Sequence, residues 1–354
     1  MLELLGSKSL LGLDIGSSSI KAVQLKDTRD GYELELFDYI ELAPSIIVED
    51  NIADTAKLSE AIKELIKKVR IKSKNVVISL SGHSSVIIKK IVLPEMTEEV
   101  LNENIRYEAE QYVPFGIEDV NLDYQIIGPA EEQGQIDVVL VAVKKDFLNS
   151  YIHAVKEAGL NPVIVDVDAF ALENMYEINY KVKGEEPKNI AIVNVGASKV
   201  TLNILKTGIS VFTKDSSIGS MIHTESLMRE FKLPYETAQR LKRGESVDGV
   251  SPEDAKTVLM SANEQIIMEI RRSLDYFSDS PEMEAIDEIM IGGGGSLVHG
   301  LKEGLSERTG YQVTHINPFK NMKIPKSFDL KQLDLIAPIA AVAVGLAIRK
   351  IGDR

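Results

Sequence analysis

Alternating and periodic hydrophobic positions divide the chain into short strands and helices. Apolar residues lie on both sides of a Gly/Ser turn in Ser9–Leu25 (SLLGLDIGSSSIKAVQL), which predicts two strands joined by a tight hairpin. Further strands are predicted at Tyr32–Ile40 and Asn75–Leu80. A helix between them is predicted from a stripe of apolar residues: Leu58, Ile62, Leu65, Ile66 and Val69. Strands that alternate with helices indicate an α/β fold.

The same hairpin pattern occurs a second time, at Asn189–Leu205 (NIAIVNVGASKVTLNIL). Four positions of the first turn, Asp14, Gly16, Ser18 and Lys21, align with Asn194, Gly196, Ser198 and Thr201 of the second. The second copy is followed by elements of the same kinds: a strand at Gly208–Phe212, helices at Ile222–Phe231, Tyr235–Arg243 and Val258–Phe277, and a strand at Ala285–Ile291. Two matched hairpins in matched surroundings indicate a duplicated α/β domain.

Residues 84–165, between the two copies, predict an inserted subdomain. Strands are expected at Val86–Val92, Asn121–Ile127, Ile136–Val143 and Val163–Val165, and helices at Thr97–Val113 and Phe147–Ala158. This βαββαβ order is typical of a compact two-layer unit.

A run of glycines follows the last predicted strand, in Asp287–Leu305 (DEIMIGGGGSLVHGLKEGL). A flexible linker would be flanked by polar sequence, whereas this run lies between a strand and a helix. We expect Ser296 to cap that helix, whose apolar stripe is Leu297, Leu301 and Leu305. Glycines at such a place let the backbone approach a flat base or a phosphate, and a helix N-terminus favours an anion.

Composition excludes several classes of protein. The net charge of −14 and the pI near 5.0 argue against binding of nucleic acid or anionic membranes, which need a basic surface. The absence of cysteine excludes disulfides, thiolate metal sites and thiol catalysis. The N-terminus lacks the features of a signal peptide. The apolar segment Ile336–Ile348 is shorter than the ~20 residues of a bilayer-spanning helix, so we expect a buried helix and a cytoplasmic protein.

The two Gly/Ser turns suit the binding of a polyphosphate. Small residues between strands expose backbone N–H groups and hydroxyls without bulky side chains in the way. Asp14 is an acceptor for a metal-bound water, and Lys21 adds a cation. Two such turns that face each other could hold a polyphosphate with its Mg²⁺. The alternative is a pair of plain tight turns.

Three motifs resemble those of the actin-like ATPase superfamily: DIGSSSIK is similar to the phosphate-1 motif, NVGASKVT to phosphate-2 and MIGGGGSL to the adenosine motif. The insert resembles the subdomain of the FtsA branch. More specific matches lie in LLGLDIGSSSIKAVQL near the start, RYEAEQYVPF (Arg106–Phe115), VIVDVDAFALENMYE (Val163–Glu177), HINPF (His315–Phe319) and the final APIAAVAVGLAIRK. By these stretches, the chain is most similar within this branch to the PilM family of type IV pilus assembly proteins.

The resemblance implies an α/β actin-like ATPase fold of two RNase-H-like domains with ATP in the cleft between them. Domain I (subdomain 1A) would comprise residues 1–83 and 166–188, and a 1C-like insert residues 84–165. Domain II (2A/2B) would comprise residues 189–335, and residues 336–354 would pack back on domain I as a C-terminal helix.

The resemblance also implies the nucleotide contacts. Mg²⁺ would be held by Asp14 through water. The β- and γ-phosphates would lie at the two turns, which contribute Gly16, Ser17, Ser18, Lys21, Gly196, Ala197 and Ser198. The adenosine would lie along Gly293, Gly294, Gly295 and Ser296. Gln239 and Lys242, spaced i, i+3 on one helix face, would contact the ribose and base.

Two positions depart from the family pattern. Asn194 replaces the Asp usual in the second phosphate motif, and Gln239 stands where relatives often have Glu. Loss of the charge at position 194 weakens the hold on a metal or water, so we expect at most slow hydrolysis and a structural or switching role for ATP. Asp14, Asp166 and Asp168 are the candidate catalytic carboxylates. The alternative role of Asp166 and Asp168 is capping of the helix that begins near Phe170.

The resemblance implies a partner, the cytoplasmic N-terminal tail of the bitopic inner-membrane protein PilN. We expect the tail in a groove between the first domain and the insert, with Val86–Pro94 and the helix of Arg106, Tyr107 and Tyr112 as walls. The chain would then be peripheral at the inner membrane through its partner, without membrane insertion or nucleic-acid binding. Other pilus platform or motor proteins and self-association are further expected contacts. An FtsA-like division protein, a sugar or acetate kinase and a scaffold with an inactive nucleotide site remain the alternatives.

Overall fold

The computed structural model describes residues 9–71, 73–82, 84–181, 188–278 and 285–353. The predicted domains also include residues 1–8, 72, 83, 182–187, 279–284 and 354, which lie outside the described residues.

The elements alternate much as the hydrophobic pattern predicts. Up to the second hairpin they are β1 (Leu11–Ile15), β2 (Ser19–Thr28), β3 (Gly31–Glu41), β4 (Ile47–Val48), β5 (Asn51–Ile52), α1 (Thr55–Val69), β6 (Asn75–Leu80), β7 (Val86–Pro94), α2 (Glu98–Ala109), β8 (Val120–Pro129), β9 (Gln135–Lys144), α3 (Lys145–Glu157), β10 (Asn161–Val167) and α4 (Asp168–Tyr180). From the second hairpin onward they are β11 (Ile190–Val195), β12 (Val200–Lys206), β13 (Ile209–Ser216), α5 (Met221–Phe231), α6 (Tyr235–Lys242), α7 (Pro252–Ser278), β14 (Glu288–Gly292), α8 (Leu301–Thr309), β15 (Val313–His315), β16 (Met322–Lys323), α9 (Leu330–Ile336) and α10 (Ala341–Ala347).

The first domain is built on a six-stranded sheet of order β10-β6-β1-β2-β3-β16. The hairpin strands β1 and β2 are antiparallel, and β6 and β10 add to them in parallel. One face of the sheet packs on α1 and α3 through side chains such as Leu13, Ile62 and Tyr151. The other face, with Val23 and Leu25, packs on α4 and α10. Both faces are therefore covered, as expected for a largely parallel sheet.

The insert is smaller than the sequence predicts. Its sheet contains only β7, β9 and β8, and α2 covers one face through Leu101, Ile105 and Ala109. The last two predicted elements of the βαββαβ unit belong to the first domain, because β10 pairs with β6 and α3 packs on α1. The assignment of residues 145–165 to the insert is therefore wrong. A strand's own sequence does not say which sheet it joins, so the order of elements alone gave this boundary incorrectly.

The second domain repeats the plan of the first on a five-stranded sheet of order β13-β12-β11-β14-β15. Its hairpin strands β11 and β12 are antiparallel, like β1 and β2, and β14 pairs in parallel with β11. The long helix α7 and α8 pack on one face through residues such as Ile266, Ile270 and Leu305. The opposite face meets α4 and the C-terminal segment in the core that both domains share.

The C-terminal segment completes that shared core. Among the described residues, one helical stretch, Leu330–Ala347, is apolar and long enough by composition to cross a membrane. It is divided into α9, a 3₁₀ turn at Ala337–Ala340 and α10. Every residue of α10 is buried, and the helix packs on α4, β1 and β2, so the predicted buried helix is confirmed. Small residues allow this close packing: a Cβ on Gly12 would lie 2.2 Å from the carbonyl oxygen of Ala343.

Candidate functional site

The two Gly/Ser turns face each other across the boundary between the domains. Both turns close in the same way: the N–H of Gly16 donates to the carbonyl of Ser19 at 3.1 Å, and the N–H of Gly196 to that of Lys199 at 2.8 Å. At their tips, the hydroxyl of Ser17 donates to the hydroxyl of Ser198 at 3.0 Å. The structure therefore brings the two predicted phosphate motifs together at one place.

The first turn carries a buried ion pair. Asp14 and Lys21 are direct neighbours in the β1–β2 ladder, and Lys21 Nζ lies 3.1 Å from Asp14 Oδ2. Burial raises the pKa of Asp14, Lys21 opposes this effect, and the negative charge of Asp168 adds to it. Lys21 Nζ also lies beside Gly16, so the turn has a cation next to its backbone.

The second turn has neutral residues at the two matching positions. Asn194 and Thr201 are neighbours in the β11–β12 ladder, where Asp14 and Lys21 stand in the first. The hydroxyl of Thr201 donates to Asp215 Oδ1 at 2.7 Å. The departure noted in the sequence therefore removes both members of the ion pair, not only the acidic one.

The glycine run lies directly on the second turn. A Cβ on Gly293, which has φ 78°, would lie 2.4 Å from the carbonyl oxygen of Val195, and one on Gly295 would lie 2.4 Å from Val195 Cγ1. Gly294 is more open, since the nearest atom to its Cβ position is Ile339 Cγ2 at 3.9 Å. The run thus packs on one side against the turn and exposes backbone at its centre.

The prediction that Ser296 caps a helix is wrong. A 3₁₀ turn spans Gly294–Leu297, and α8 begins only at Leu301, after Gly300 with φ 80°. Ser296 is buried, and its hydroxyl donates to the carbonyl of Gly293 at 2.7 Å. Ser296 therefore stabilises the shape of the glycine turn. The turn interrupts the expected leucine stripe, so Leu297 is 41% exposed.

Helix α6 joins the site through Ser220. The N–H of Ser220 donates to the carbonyl of Gly196 at 2.9 Å, and Lys242 Nζ donates to the carbonyl of Ser220 at 3.5 Å. Burial and the positive charge of Arg243 together lower the pKa of Lys242 to about 8, against the opposing effect of Glu41. Gln239 is buried, and its amide donates to the Tyr235 hydroxyl at 2.7 Å. Lys242 thus contacts Ser220 beside the second turn, whereas the hydrogen bond of Gln239 stays within α6. Ser220 was not predicted.

Asp166 and Asp168 do not cap the helix that follows them. Asp168 is the first residue of α4, and its carboxylate accepts hydrogen bonds from the hydroxyls of Ser79, at 2.6 Å, and Ser81. Asp166 accepts from Arg349 at 2.6 Å, and burial raises its pKa despite that partner. Asp168 is therefore the carboxylate on the side of the phosphate turns, because its charge acts on Asp14, while Asp166 binds the C-terminal segment.

Charged contacts between the domains were also missed by the sequence reading. Lys199, in the second turn, lies 2.9 Å from the carbonyl oxygen of Ser81 and 3.1 Å from Asp50 Oδ1. On another side of the site, Arg243 pairs with Glu41 at 2.7 Å. A lysine among small residues is the signal that could have identified the first contact, whereas no motif marks its partners.

The chain matches a known family over nearly its whole length. The family model described as type IV pilus assembly protein PilM matches residues 12–351. The solved structure described as the PilM-PilN type IV pilus biogenesis complex is 29% identical, with a TM-score of 0.85, covering 98% of this chain and 99% of that one.

More distant structures share the fold. The ethanolamine utilization protein EutJ from Carboxydothermus hydrogenoformans is 12% identical, with a TM-score of 0.57 over 98% of this chain and 92% of that one. MreB5 of Spiroplasma citri, bound to ADP, is 12% identical, with a TM-score of 0.53 over 95% of this chain and 94% of that one. The predicted actin-like ATPase fold is confirmed. Since the family model spans almost every residue, the chain belongs to the type IV pilus assembly protein PilM family.

Proposed function

We propose that this chain binds ATP in the cleft between its domains and binds the cytoplasmic tail of PilN, as the actin-like component of a type IV pilus assembly platform. It would lie in the cytoplasm, peripheral at the inner membrane through that partner. The observation that supports the proposal best is the contact between Ser17 and Ser198, with the glycine run packed on the second turn. The family match does not favour an FtsA-like division protein or a sugar or acetate kinase.

The phosphates would lie between the two turns. Backbone N–H groups and the hydroxyls of Ser17, Ser18 and Ser198 are donors of the kind that bind anions, and Lys21 supplies a positive charge. The nucleoside would lie along Gly293–Ser296, where the exposed backbone around Gly294 leaves room for a flat group. Lys242 and Gln239 would contact it from α6. The description of MreB5 as bound to ADP supports a nucleotide in a cleft of this fold.

Magnesium fits the first turn better than the second. The described residues contain no group of three or more His, Asp or Glu side chains that could hold a metal by themselves. Mg²⁺ commonly keeps several waters and binds through one or two carboxylates plus the phosphates of its nucleotide. Asp14 is a buried carboxylate at the first turn, so it would hold the ion through water, and the ion would neutralise phosphate charge there.

Hydrolysis would be slow. The second turn has Asn194 at the position that matches Asp14, so it lacks a second carboxylate beside the phosphates. Asp168 is the remaining carboxylate close to Asp14, but the hydroxyls of Ser79 and Ser81 occupy its oxygens. ATP would therefore act chiefly as a structural or switching ligand.

The PilN tail would bind beside the insert. The PilM-PilN structure matches this chain over its whole length, which supports a partner of the same kind. β7 is an edge strand of the insert sheet, so one side of Val86–Pro94 has no strand partner within that sheet and would pair with an extended peptide where β13 does not cover it. Tyr107 on α2 is 70% exposed. Arg106 pairs with Glu118, and Tyr112 lies under Lys89, so these two side chains have partners within the insert.

Calorimetric titration and thermal unfolding with Mg-ATP would test the nucleotide site. Binding to the folded chain alone stabilises it by roughly 2.7 kcal/mol at about a hundred-fold excess over Kd, so the melting temperature should rise. We expect Gly294→Val to abolish the rise, because it fills the open backbone of the glycine turn. Gly128→Val, at a position with no atom within 4 Å of its Cβ, is the matched control. Turnover of many ATP molecules per second would contradict the switching role, and no binding at all would contradict the site.

Fluorescence anisotropy with a labelled peptide of the PilN N-terminal tail from the same organism would test the partner. We expect Tyr107→Ala to weaken binding. Tyr276→Ala, at a tyrosine that is 67% exposed on α7, is the matched control and should bind like the original chain. Equal binding by all three proteins would contradict the placement beside the insert, and no binding by the original chain would contradict the partner.

A further inference from the structure

The stem of the insert, Ser81–Gly82, is held by the second domain. These residues follow β6 and precede β7, so they lie where the chain leaves the first domain for the insert. Lys199 Nζ donates to the carbonyl of Ser81 at 2.9 Å. The N–H of Gly82 donates to Asp215 Oδ2 at 2.8 Å. Two side chains of the second domain therefore hold consecutive residues of the stem.

Asp50 completes this arrangement from the first domain. Its carboxylate lies 3.1 Å from Lys199 Nζ, and both side chains are largely buried, at 13% and 21% exposure. A buried ion pair is sensitive to the loss of either partner, since the other charge is then left without compensation. The domains are thus joined at this point by a charged contact that water screens little.

The backbone that presents Asp50 is strained. Glu49 and Asp50 form the two-residue turn between β4 and β5, with φ of 49° and 66°. Such a turn favours Gly or Asn because both residues adopt left-handed conformations, and non-glycine residues there cost free energy. The carbonyl of Asp50 accepts a hydrogen bond from the Tyr151 hydroxyl at 2.8 Å, which holds the turn in place. Backbone strain of this kind is kept where the surrounding contacts fix a side chain, here that of Asp50, in one position.

Gly82 fits against the same carboxylate. Its φ is +153°, and a Cβ at this position would lie 3.0 Å from Asp50 Oδ2. The stem is therefore enclosed by Asp50 on one side and Asp215 on another. We name these five residues, Asp50, Ser81, Gly82, Lys199 and Asp215, the interdomain strap.

The strap begins within the second phosphate turn. Lys199 provides the carbonyl that closes this turn, and the preceding residue, Ser198, contacts Ser17 of the first turn. Asp215 is also bonded to Thr201, two residues beyond Lys199 on β12. Movement of the turn therefore moves both groups that hold the insert stem.

We propose that Lys199 is a positioning residue that couples the second phosphate turn to the insert through the interdomain strap. The part that concerns ligands rests on the proposed function. A triphosphate that bridges both turns favours the closed arrangement of the domains, in which the strap contacts form. The insert is then held in one orientation, so the PilN tail binds more tightly when Mg-ATP is bound. By linkage, the tail tightens nucleotide binding by the same factor.

Distance measurements test the strap without any ligand. The chain has no cysteine, so Glu103→Cys on α2 and Glu225→Cys on α5, both at exposed positions, can carry a pair of spin labels. Without nucleotide, we expect a narrower distance distribution in the original chain than after Lys199→Met. Lys199→Arg, which keeps the charge, should restore the narrow distribution. Lys256→Met, at an exposed lysine on α7, is the matched control.

Peptide titrations with and without Mg-ATP test the coupling. We expect the nucleotide to lower the Kd of the PilN tail peptide by about tenfold in the original chain and by little in Lys199→Met. Gly82→Ala and Asp215→Asn act on the other end of the strap and should show the same loss, even where Lys199→Met fails to fold. A narrow distribution and an unchanged ratio of Kd values in these variants would overturn the strap. Absence of nucleotide or peptide binding would overturn the proposed function and the coupling, while the distance measurement still decides the strap.

Discussion

The two phosphate turns share their backbone geometry but differ in where their charged side chains make contacts. Both close with an N–H bond from a glycine to the residue three positions on, and they meet at Ser17 and Ser198. The first turn keeps its ion pair, Asp14 and Lys21, within its own ladder. The second turn has neutral residues at those positions, and its lysine, Lys199, reaches into the other domain. The two turns thus share their geometry, but the charged contact of the first lies within its own hairpin and that of the second lies between the domains.

This difference suggests a division of labour. A carboxylate and a lysine in one turn suit a metal ion and a phosphate, so we propose that the first turn binds these two groups. A lysine that contacts both domains suits the transfer of a structural change, so we propose that the second turn transmits such a change to the insert. Three experiments test this difference between the turns, in decreasing order of the effect that we expect.

The largest effect is expected from Asp14→Asn, which gives the first turn the residue of the second. Without the carboxylate, the turn loses its ligand for hydrated Mg²⁺. We expect the Kd for Mg-ATP to rise by about a hundred-fold, or roughly 2.7 kcal/mol, measured by calorimetry. Asp38→Asn, which breaks the more exposed pair between Asp38 and Lys68, is the control and should bind like the original chain. An unchanged Kd in Asp14→Asn would show that the first turn does not hold the metal ion.

The reverse change, Asn194→Asp, gives the second turn the residue of the first. A second carboxylate beside the phosphates would hold a metal-bound water more firmly. We expect turnover of ATP to increase by about tenfold, equivalent to roughly 1.4 kcal/mol in the barrier, measured by phosphate release. Asn104→Asp, at an exposed position of the insert, controls for the added charge. Turnover that does not rise would show that the slow reaction has another cause.

The smallest expected effect is the uptake of a fraction of a proton by Lys242 when the nucleotide binds. Its pKa of about 8 lies below the ordinary value near 10.4, so the unfolded chain binds more protons between these values and stability rises with pH across that window. A nearby phosphate would raise this pKa and cause proton uptake. Calorimetry at pH 8 in two buffers of different ionisation enthalpy should detect up to about half a proton per nucleotide. Lys242→Met should abolish the uptake, and equal heats in both buffers would contradict a contact between Lys242 and the nucleotide.

The sequence was most informative where residues adjacent in the chain act together. The turn DIGSSSIK carries its own strands and a lysine close to Asp14, so a local pattern was enough to predict the hairpin and the nearby cation, though not their ion pair. The repeat in NVGASKVT then indicated a second turn of the same shape. Because the glycines and serines of each phosphate turn lie within one hairpin, the two turns could be predicted without knowledge of the tertiary packing.

Contacts between residues that are far apart in the chain could not be predicted from such local patterns. Val163–Val165 has the same apolar pattern whether its strand joins the insert or the first domain, and only pairing with β6 decides the question. Ser296 follows the glycines as a helix cap would, yet the packing of Gly293 and Gly295 on Val195 imposes a 3₁₀ turn there. The partners of Lys199 come from a short hairpin and a strand connection that have no recognisable motif.

The close approach of Gly12 to Ala343 has a consequence for folding during synthesis. β1 is synthesised long before α10, so one face of its sheet stays uncovered until α10 has followed. Contacts across such a span form late, and uncovered apolar strands invite aggregation in the interval. The nascent chain should therefore depend on chaperones until α10 has been synthesised, and a truncation before α10 should yield insoluble protein.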